Sequence, residues 1–195
     1  MRIIAGAWRG RPLLAPPGRA TRPTSDRARE GLFSMLQSRL GTFEGLQVAD
    51  LFAGTGALGL EALSRGAAHC TFVERDRDAL DILRRNVDRL GAGDKADVRA
   101  QAVEHAPPPR RPCDLILMDA PYGTGLAQRA LDRVADSAWL APGGWISVEL
   151  QAETLELPPA TTLDAERKFG RATVILIRGR DEALSRDRQF PNCSL

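Results

Sequence analysis

The sequence predicts an α/β domain: a doubly wound, mostly parallel sheet with helices on both faces. Three observations carry that prediction. Asp50–Gly59 reads as strand, glycine turn and helix start; strand-like and helix-like segments alternate after it; and Cys113–Met118 is too uniformly apolar for a half-exposed strand, as expected at the centre of a parallel sheet. The 195 residues suffice for one such domain with a single substantial core.

In chain order, Arg2–Leu14 alternates loosely and is broken by Gly6 and Gly10, as in a short β-hairpin with arginines on its open side. Pro16-Pro17-Gly18 ends it. A helix follows from about Asp26 to Leu40, with Ala28, Leu32, Met35, Leu36 and Leu40 on one stripe, Ser25 or Asp26 as its cap, and Gly41 as its stop. A hairpin and one helix have no core of their own. Residues 1–40 are therefore expected to pack as an extension on a main domain spanning 41–180.

The main domain opens with a strand over 46–52 and a helix running from Leu58 to Arg65-Gly66. Cys70–Glu74 is a second strand, and a helix over 77–90 turns Ala79, Ile82, Leu83, Val87 and Leu90 inward. Ala96–Ala102 is a weak third strand and Cys113–Met118 the fourth. A helix over 126–138, a turn at Pro142-Gly143-Gly144 and a strand over 145–150 complete another β–α–β unit. Two late strands, a short one over 161–164 and a firm one over 173–177, bring the total to seven and predict an antiparallel hairpin at the sheet edge. Residues 181–195 are polar and patternless, the signature of a frayed tail.

The net charge of +2 conceals an asymmetry. Residues 1–39 contain eight arginines (Arg2, Arg9, Arg11, Arg19, Arg22, Arg27, Arg29 and Arg39) against Asp26 and Glu30, so this end carries +6 and the remainder −4. The planar guanidinium grips phosphates, which points to a polyanionic partner. No apolar run is long enough to span a membrane. Arg2 and the strand-like Ile3-Ile4 follow Met1 with no signal region, so a cytoplasmic location is expected. The three cysteines, Cys70, Cys113 and Cys193, are odd in number and widely spaced, and read as reduced thiols. His69 and His105 lack ligand-like spacing, and no metal is expected.

In a doubly wound sheet the site belongs at the C-terminal edge of the strands. Asp50–Gly59, Glu74 and Asp119–Tyr122 are all placed there. A strand turning sharply into a helix offers backbone N–H groups, and glycine admits a ligand close to that backbone. Gly54, Gly56 and Gly59 satisfy G-x-G-x-x-G, and Glu74, 20 residues beyond Gly54, can accept both hydroxyls of a ribose. A dinucleotide is thus one candidate. Two features argue against it: Asp50 precedes the glycines, where it can meet an ammonium that a dinucleotide lacks, and Asp119-Ala120-Pro121-Tyr122 has no evident work in hydride transfer.

A glycine loop followed by an Asp-Pro-Pro-Tyr-like tetrapeptide resembles the amino-methyltransferases, which methylate exocyclic amines using S-adenosylmethionine. Together with Arg2–Arg11, the segment Arg22–Glu30, Asp50–Ala67 and Lys168-Phe169-Gly170, it resembles the RsmD family over most of residues 1–180. That resemblance implies a Rossmann-like methyltransferase fold and methylation of a guanine N2 amine in bacterial 16S ribosomal RNA, within an assembled or assembling small subunit, by a monomeric enzyme. It implies a cofactor site of Thr24, Arg27, Asp50, Phe52, Gly54, Thr55, Gly56, Glu74, Gln101, Ala102 and Asp119, with the segment 24–27 closing over the methionine part. The catalytic residues implied are Asp119 and the Ala120 carbonyl as acceptors for the amine N–H groups, Pro121 fixing the turn and Tyr122 stacking on the base. Arg2, Arg9, Arg11, Arg22, Arg29 and Lys168 are implied as RNA contacts. Two positions depart from the family pattern: Ala120 stands where proline is usual, and Gln101 where an acid is frequent. An adenine or protein-amide amine as acceptor, a dinucleotide-dependent oxidoreductase and a non-catalytic nucleotide-binding module stay open from the residues alone.

Overall fold

A computed structural model describes residues 1–16, 23–151 and 153–181. Arg22, Cys193 and the expected tail lie outside the described residues, as do the side chains of residues 23–25. Helix α1 spans Pro23–Leu40, followed by β1 (Gln47–Leu51), α2 (Ala57–Ser64), β2 (His69–Glu74), α3 (Arg77–Leu90), β3 (Ala96–Ala100), β4 (Cys113–Met118), α4 (Leu126–Ala135), β5 (Leu140–Leu150), β6 (Thr161–Phe169) and β7 (Ala172–Gly179). The seven strands form one sheet in the order β3-β2-β1-β4-β5-β7-β6. The first five are parallel; β7 runs antiparallel to both its neighbours. The expected seven-stranded, doubly wound sheet is the one observed. No described helix is long and apolar enough to cross a membrane.

Residue parity along the strands divides the core in two, as pleating requires. Val48, Cys70, Phe72, Leu115, Leu117, Trp145 and Leu176 face α1, α2 and α3. Leu51, Val73, Ile116, Met118, Ile146, Val148 and Ile177 face α4. Cys70 and Cys113 are buried free thiols, and burial pushes Cys113 up to about 12, so neither is a nucleophile at neutral pH.

Four expectations are corrected. The helix α1 starts at Pro23, three residues early, because proline suits the first helical position. Asp26 therefore lies in the first turn. Pro142-Gly143-Gly144 is no turn between elements but lies inside β5: the pairing passes from Cys113↔Leu140 to Leu115↔Trp145, so the strand bulges outward with Gly143 at φ +69°. β6 is nine residues long instead of four, because it is an exposed edge strand held by pairing with β7 and carries little apolar alternation. α4 ends at Ala135, three residues short.

The expected N-terminal hairpin is present in short form: Arg2 bridges Pro12, Ile3 N–H donates to the Arg11 carbonyl at 3.0 Å, Gly10 N–H to the Ile3 carbonyl at 2.9 Å and Leu13 N–H to the Met1 carbonyl at 3.1 Å. Its backbone is also bound to helix side chains. Ile4 and Ala5 N–H donate to the fully buried Glu61 carboxylate at 2.7 and 3.0 Å, and Arg65 Nε closes the same carboxylate at 2.8 Å. Ser64 Oγ donates to the Ala5 carbonyl at 2.6 Å, while Asn86 Oδ1 accepts from Leu14 N–H at 2.8 Å. Ile3, Leu13, Leu32, Phe33, Met35 and Leu36 join the hydrophobic cluster of that sheet face, so the segment is part of the main core.

Candidate active site

The strand pairings place the ends of the parallel strands side by side: Ala100 beside Glu74, Leu51 beside Val73 and Met118, and Met118 beside Val148. The loops leaving these strands therefore gather along one edge. Gln101 and Ala102 come directly after β3, Glu74 ends β2, Phe52–Gly56 lead out of β1, Asp119–Tyr122 lead out of β4, and Glu149 lies next to the end of β5. The strand order reverses between β1 and β4, the place where doubly wound sheets bind ligands. A cleft of about 540 Å³ lies there, lined by Phe52, Gly54, Glu74, Gln101, Ala102 and Asp119, together with Pro16, Asp76, Asp78, Val103, Glu104, Pro121 and others. Its volume suits a small-molecule ligand.

The β1–α2 loop has an unusual backbone. Phe52 adopts φ +68°, a left-handed conformation costing a non-glycine residue roughly 1–2 kcal/mol. Phe52 and Ala53 N–H both donate to the Val73 carbonyl at 3.0 Å, which holds the loop against β2. Gly56 needs its glycine twice: φ is +84°, and a Cβ there would lie 2.4 Å from Leu83 Cδ1. Gly59 serves packing alone, since an added Cβ would come within 2.3 Å of the Phe72 ring.

Asp50 is buried, and its Oδ2 accepts from Gly59 N–H at 2.8 Å, so this carboxylate caps the first turn of α2 from within. Burial pushes its pKa up to about 7; the Gly59 hydrogen bond opposes this, and the charges of Asp119 and Glu74 add to it. The site is thus a buried acid that gives up its proton more readily when a cation arrives.

Glu74 Oε2 accepts from Gly54 N–H at 2.8 Å, and Oε1 from Arg75 and Asp76 N–H at 2.7 and 2.8 Å. A carboxylate has about four acceptor directions. One remains, on Oε2. The expectation that Glu74 accepts both ribose hydroxyls is reduced to one in this arrangement of the loop.

Asp119 lines the cleft, exposed to water yet crowded by protein. That crowding, and the negative charge of Glu149, raise its affinity for a proton. Ala120 is buried, Pro121 exposed, and Tyr122 is 41% exposed with its hydroxyl donating to Glu149. Burial and that hydrogen bond push the phenol upward, so it stays neutral. Thr124 Oγ1 donates to the Pro121 carbonyl at 2.6 Å, and Gly123 N–H donates to Glu153. The turn after β4 is therefore held by hydrogen bonds where proline is absent at position 120.

Other site expectations fare differently. Arg29 is 5% exposed and donates to the Arg2 carbonyl and to Asp26, 3.1 Å away, so it is an internal strut and not a phosphate contact. Burial lowers its pKa, opposed by Asp26. Arg11 is exposed, but its guanidinium donates to the Arg89 carbonyl at the end of α3, a favourable place for a cation. Arg27 is not part of the cleft. It lines a groove of about 610 Å³ with Glu30, Gly31, Arg167, Lys168 and Phe169, and an adjoining one of about 530 Å³ with Arg2, Arg9, Asp26 and Glu30.

Sequence reasoning missed Glu149 and Asn86. Glu149 directly follows Val148, the β5 partner of Met118, just as Asp119 directly follows Met118, and so the pairing of the two strands brings it near the site. Asn86 is buried, and its Nδ2 donates to the Thr55 carbonyl at 2.9 Å and the Leu14 carbonyl at 3.2 Å, tying the glycine loop to the N-terminal segment. Nothing in a helix pattern announces that.

The family model described as "Conserved hypothetical protein 95" matches residues 1–178. The chain is 40% identical over 153 residues to "Ribosomal RNA small subunit methyltransferase D" of Escherichia coli (strain K12), covering 78% of this chain and 76% of that protein. It is 37% identical over 175 residues to the protein of the same name from Haemophilus influenzae, covering 87% and 89%. Among solved structures, the putative methyltransferase yhhF from Escherichia coli superposes with a TM-score of 0.81 at 34% identity, covering 92% of this chain and 98% of that one.

Proposed function

The chain belongs to the RsmD family, and we propose that it transfers a methyl group from S-adenosylmethionine to the N2 amine of a guanine in small-subunit ribosomal RNA. The names of its relatives support ribosomal RNA as the acceptor. One observation carries the reading: an acid-lined cleft and the Asp119–Tyr122 turn share the same strand edge, with Asp119 lining both.

The cleft favours a cationic ligand over a dinucleotide. Asp50 already occupies the N-terminal turn of α2, the position a pyrophosphate would need. Glu74, Asp76, Asp78, Glu104 and Asp119 around the cleft, against Arg75, would repel it further. The same acids suit a sulfonium and an ammonium. Glu74 Oε2 would hold a ribose hydroxyl, Asp50 the ammonium, and Gln101 with Ala102 would flank the adenine. The cofactor supplies a methyl group already activated on sulfur.

The remaining work is positioning and proton handling. Asp119 and the Ala120 carbonyl accept hydrogen bonds from the amine, drawing its lone pair out of conjugation with the ring. Tyr122, fixed through Glu149, presents its ring to a base splayed out of the RNA. After transfer the nitrogen carries one proton too many, and Asp119, with its raised proton affinity, receives it.

Small subunits and naked ribosomal RNA from cells lacking this activity, incubated with methyl-labelled cofactor and digested to nucleosides, test the reading. N2-methylguanosine is the expected product; N6-methyladenosine, or label in protein, would replace guanine by another acceptor. Asp119→Ala should lose about 10²–10³-fold in turnover while losing far less in cofactor affinity, which the other acids of the cleft sustain. Unimpaired methylation by that variant would place the amine acceptor elsewhere.

A further inference from the structure

The two grooves that share Arg27 and Glu30 join into one basic track, running from Arg167 and Lys168 across Arg27 to Arg2 and Arg9. None of these five cations forms an ion pair among the described residues. Of the two acids on the track, Asp26 is neutralised by Arg29 at 3.1 Å, which leaves Glu30. The five cations are exposed, and among the described residues none of their guanidinium and ammonium groups has an acidic partner.

The track also carries an aromatic surface. Phe169 is half-buried, its ring seated on Gly31 of α1 so closely that a Cβ at position 31 would lie 2.2 Å away. The Arg167 guanidinium lies 5.5 Å from the centre of the ring. A glycine in the middle of a helix weakens it, and here it gives an aromatic side chain a seat beside three cations. A backbone-gripping basic groove with an aromatic platform is the arrangement that binds single-stranded nucleic acid.

Register fixes where this track lies relative to the chemistry. Leu150, at the end of β5, pairs with Thr173, and Lys168 pairs with Thr173 across the β6–β7 turn. The turn therefore projects from the same sheet edge as Asp119, two to three strands away from β4. With strands about 4.8 Å apart, that is about 10–15 Å, within a few nucleotides of a base seated at Asp119.

We propose that the groove between α1 and the β6–β7 turn, lined by Arg27, Arg167, Lys168 and Phe169, holds the RNA strand that flanks the target base, with the three cations on its phosphates and Phe169 stacked on a neighbouring base. This assigns Arg27 to RNA and removes it from the cofactor site. The assignment rests on the proposal that RNA is the substrate.

The test compares wild-type protein with R27A/R167A/K168A, three exposed positions whose truncation leaves the core intact, and with Phe169→Leu, which keeps the packing and loses the aromatic face. Affinity for small-subunit ribosomal RNA is measured across a range of salt, and affinity for S-adenosylmethionine by calorimetry. The triple variant should bind RNA at least about tenfold more weakly at low salt, with a dependence of log affinity on log salt shallower by about 2, near 0.7 for each lost phosphate contact. Phe169→Leu should weaken binding about tenfold with the salt slope unchanged. Cofactor affinity should be that of wild type in both. Wild-type RNA affinity and slope in the triple variant would overturn the assignment while leaving the proposed reaction standing, and loss of cofactor affinity would return Arg27 to the cofactor. If wild-type protein binds the cofactor but neither binds nor methylates ribosomal RNA, the underlying reading falls and this one with it.

Discussion

Cofactor binding should expel a proton from Asp50. The carboxyl is fully buried and its proton affinity is raised until it titrates at about 7, chiefly through burial. In the free protein it is therefore roughly 90% protonated at pH 6 and half protonated at pH 7. An ammonium placed against the oxygen not used by Gly59 favours the charged form and returns the pKa toward the ordinary carboxylate range. Binding then requires deprotonation, and each pH unit below 7 weakens it about tenfold, or about 1.4 kcal/mol. Between about pH 5.5 and 8 the affinity for S-adenosylmethionine should rise roughly thirtyfold, by that arithmetic. Calorimetry in buffers of different ionisation enthalpy counts the released proton directly: close to one at pH 6, about half at pH 7. Asp119 also holds its proton more tightly than usual, so Asp50→Asn is the control. Its amide oxygen can still accept from Gly59, and the pH dependence should flatten. Affinity independent of pH in the wild-type protein, with no buffer-dependent heat, would refute the reasoning. The same carboxyl affects folding with a definite sign. Its folded pKa lies above the unfolded one, so the folded chain holds the extra proton between about pH 4 and 7, and stability falls as pH rises through that window.

Substitutions at three positions probe the scaffold under the site. Glu61→Ala removes the acceptor for Ile4 N–H, Ala5 N–H and Arg65, and should cost about 3–5 kcal/mol in urea unfolding because it strands a cation and two amides; a loss below about 1 kcal/mol would show that the N-terminal segment is not held there. Asn86→Ala breaks three hydrogen bonds and should cost about 3 kcal/mol. Asn86→Asp should be worse despite its shape, since it turns a donor into an acceptor facing the Leu14 and Thr55 carbonyls, and the reverse ranking by thermal melting would sink that account. Gly59→Ala forces a methyl into the Phe72 ring and should destabilise by about 1–3 kcal/mol or more, read from the unfolding midpoint.

The sequence was most informative where one rule governed several residues at once. Period and parity located β4 over Cys113–Met118 and α3 over Arg77–Leu90 to the residue, because both are elements whose apolar pattern reports burial. The pattern failed on β6, whose exposed side chains leave backbone pairing as its main support, and on Pro142–Gly144, whose turn-forming residues make a bulge because a strand neighbour is present. At the site, the residue types at 50, 74 and 119 could be read, since each acid falls at the end of a strand. Their environments could not. Whether Glu74 has one free acceptor direction or several depends on three backbone amides, and whether Arg29 is a phosphate contact or a strut depends on where Arg2 and Asp26 lie. The N-terminal segment makes the point for function. Its charge suggests an RNA-binding extension laid on the domain, yet it is more than laid on: Ile3 and Leu13 lie in the core and Glu61 and Asn86 hold its backbone. Deleting residues 1–20 would therefore unfold part of the scaffold, including the support of Thr55, and would confuse RNA binding with cofactor binding. Only exposed charges such as Arg2, Arg9 and Arg27 separate the two, because their removal leaves every one of those hydrogen bonds in place.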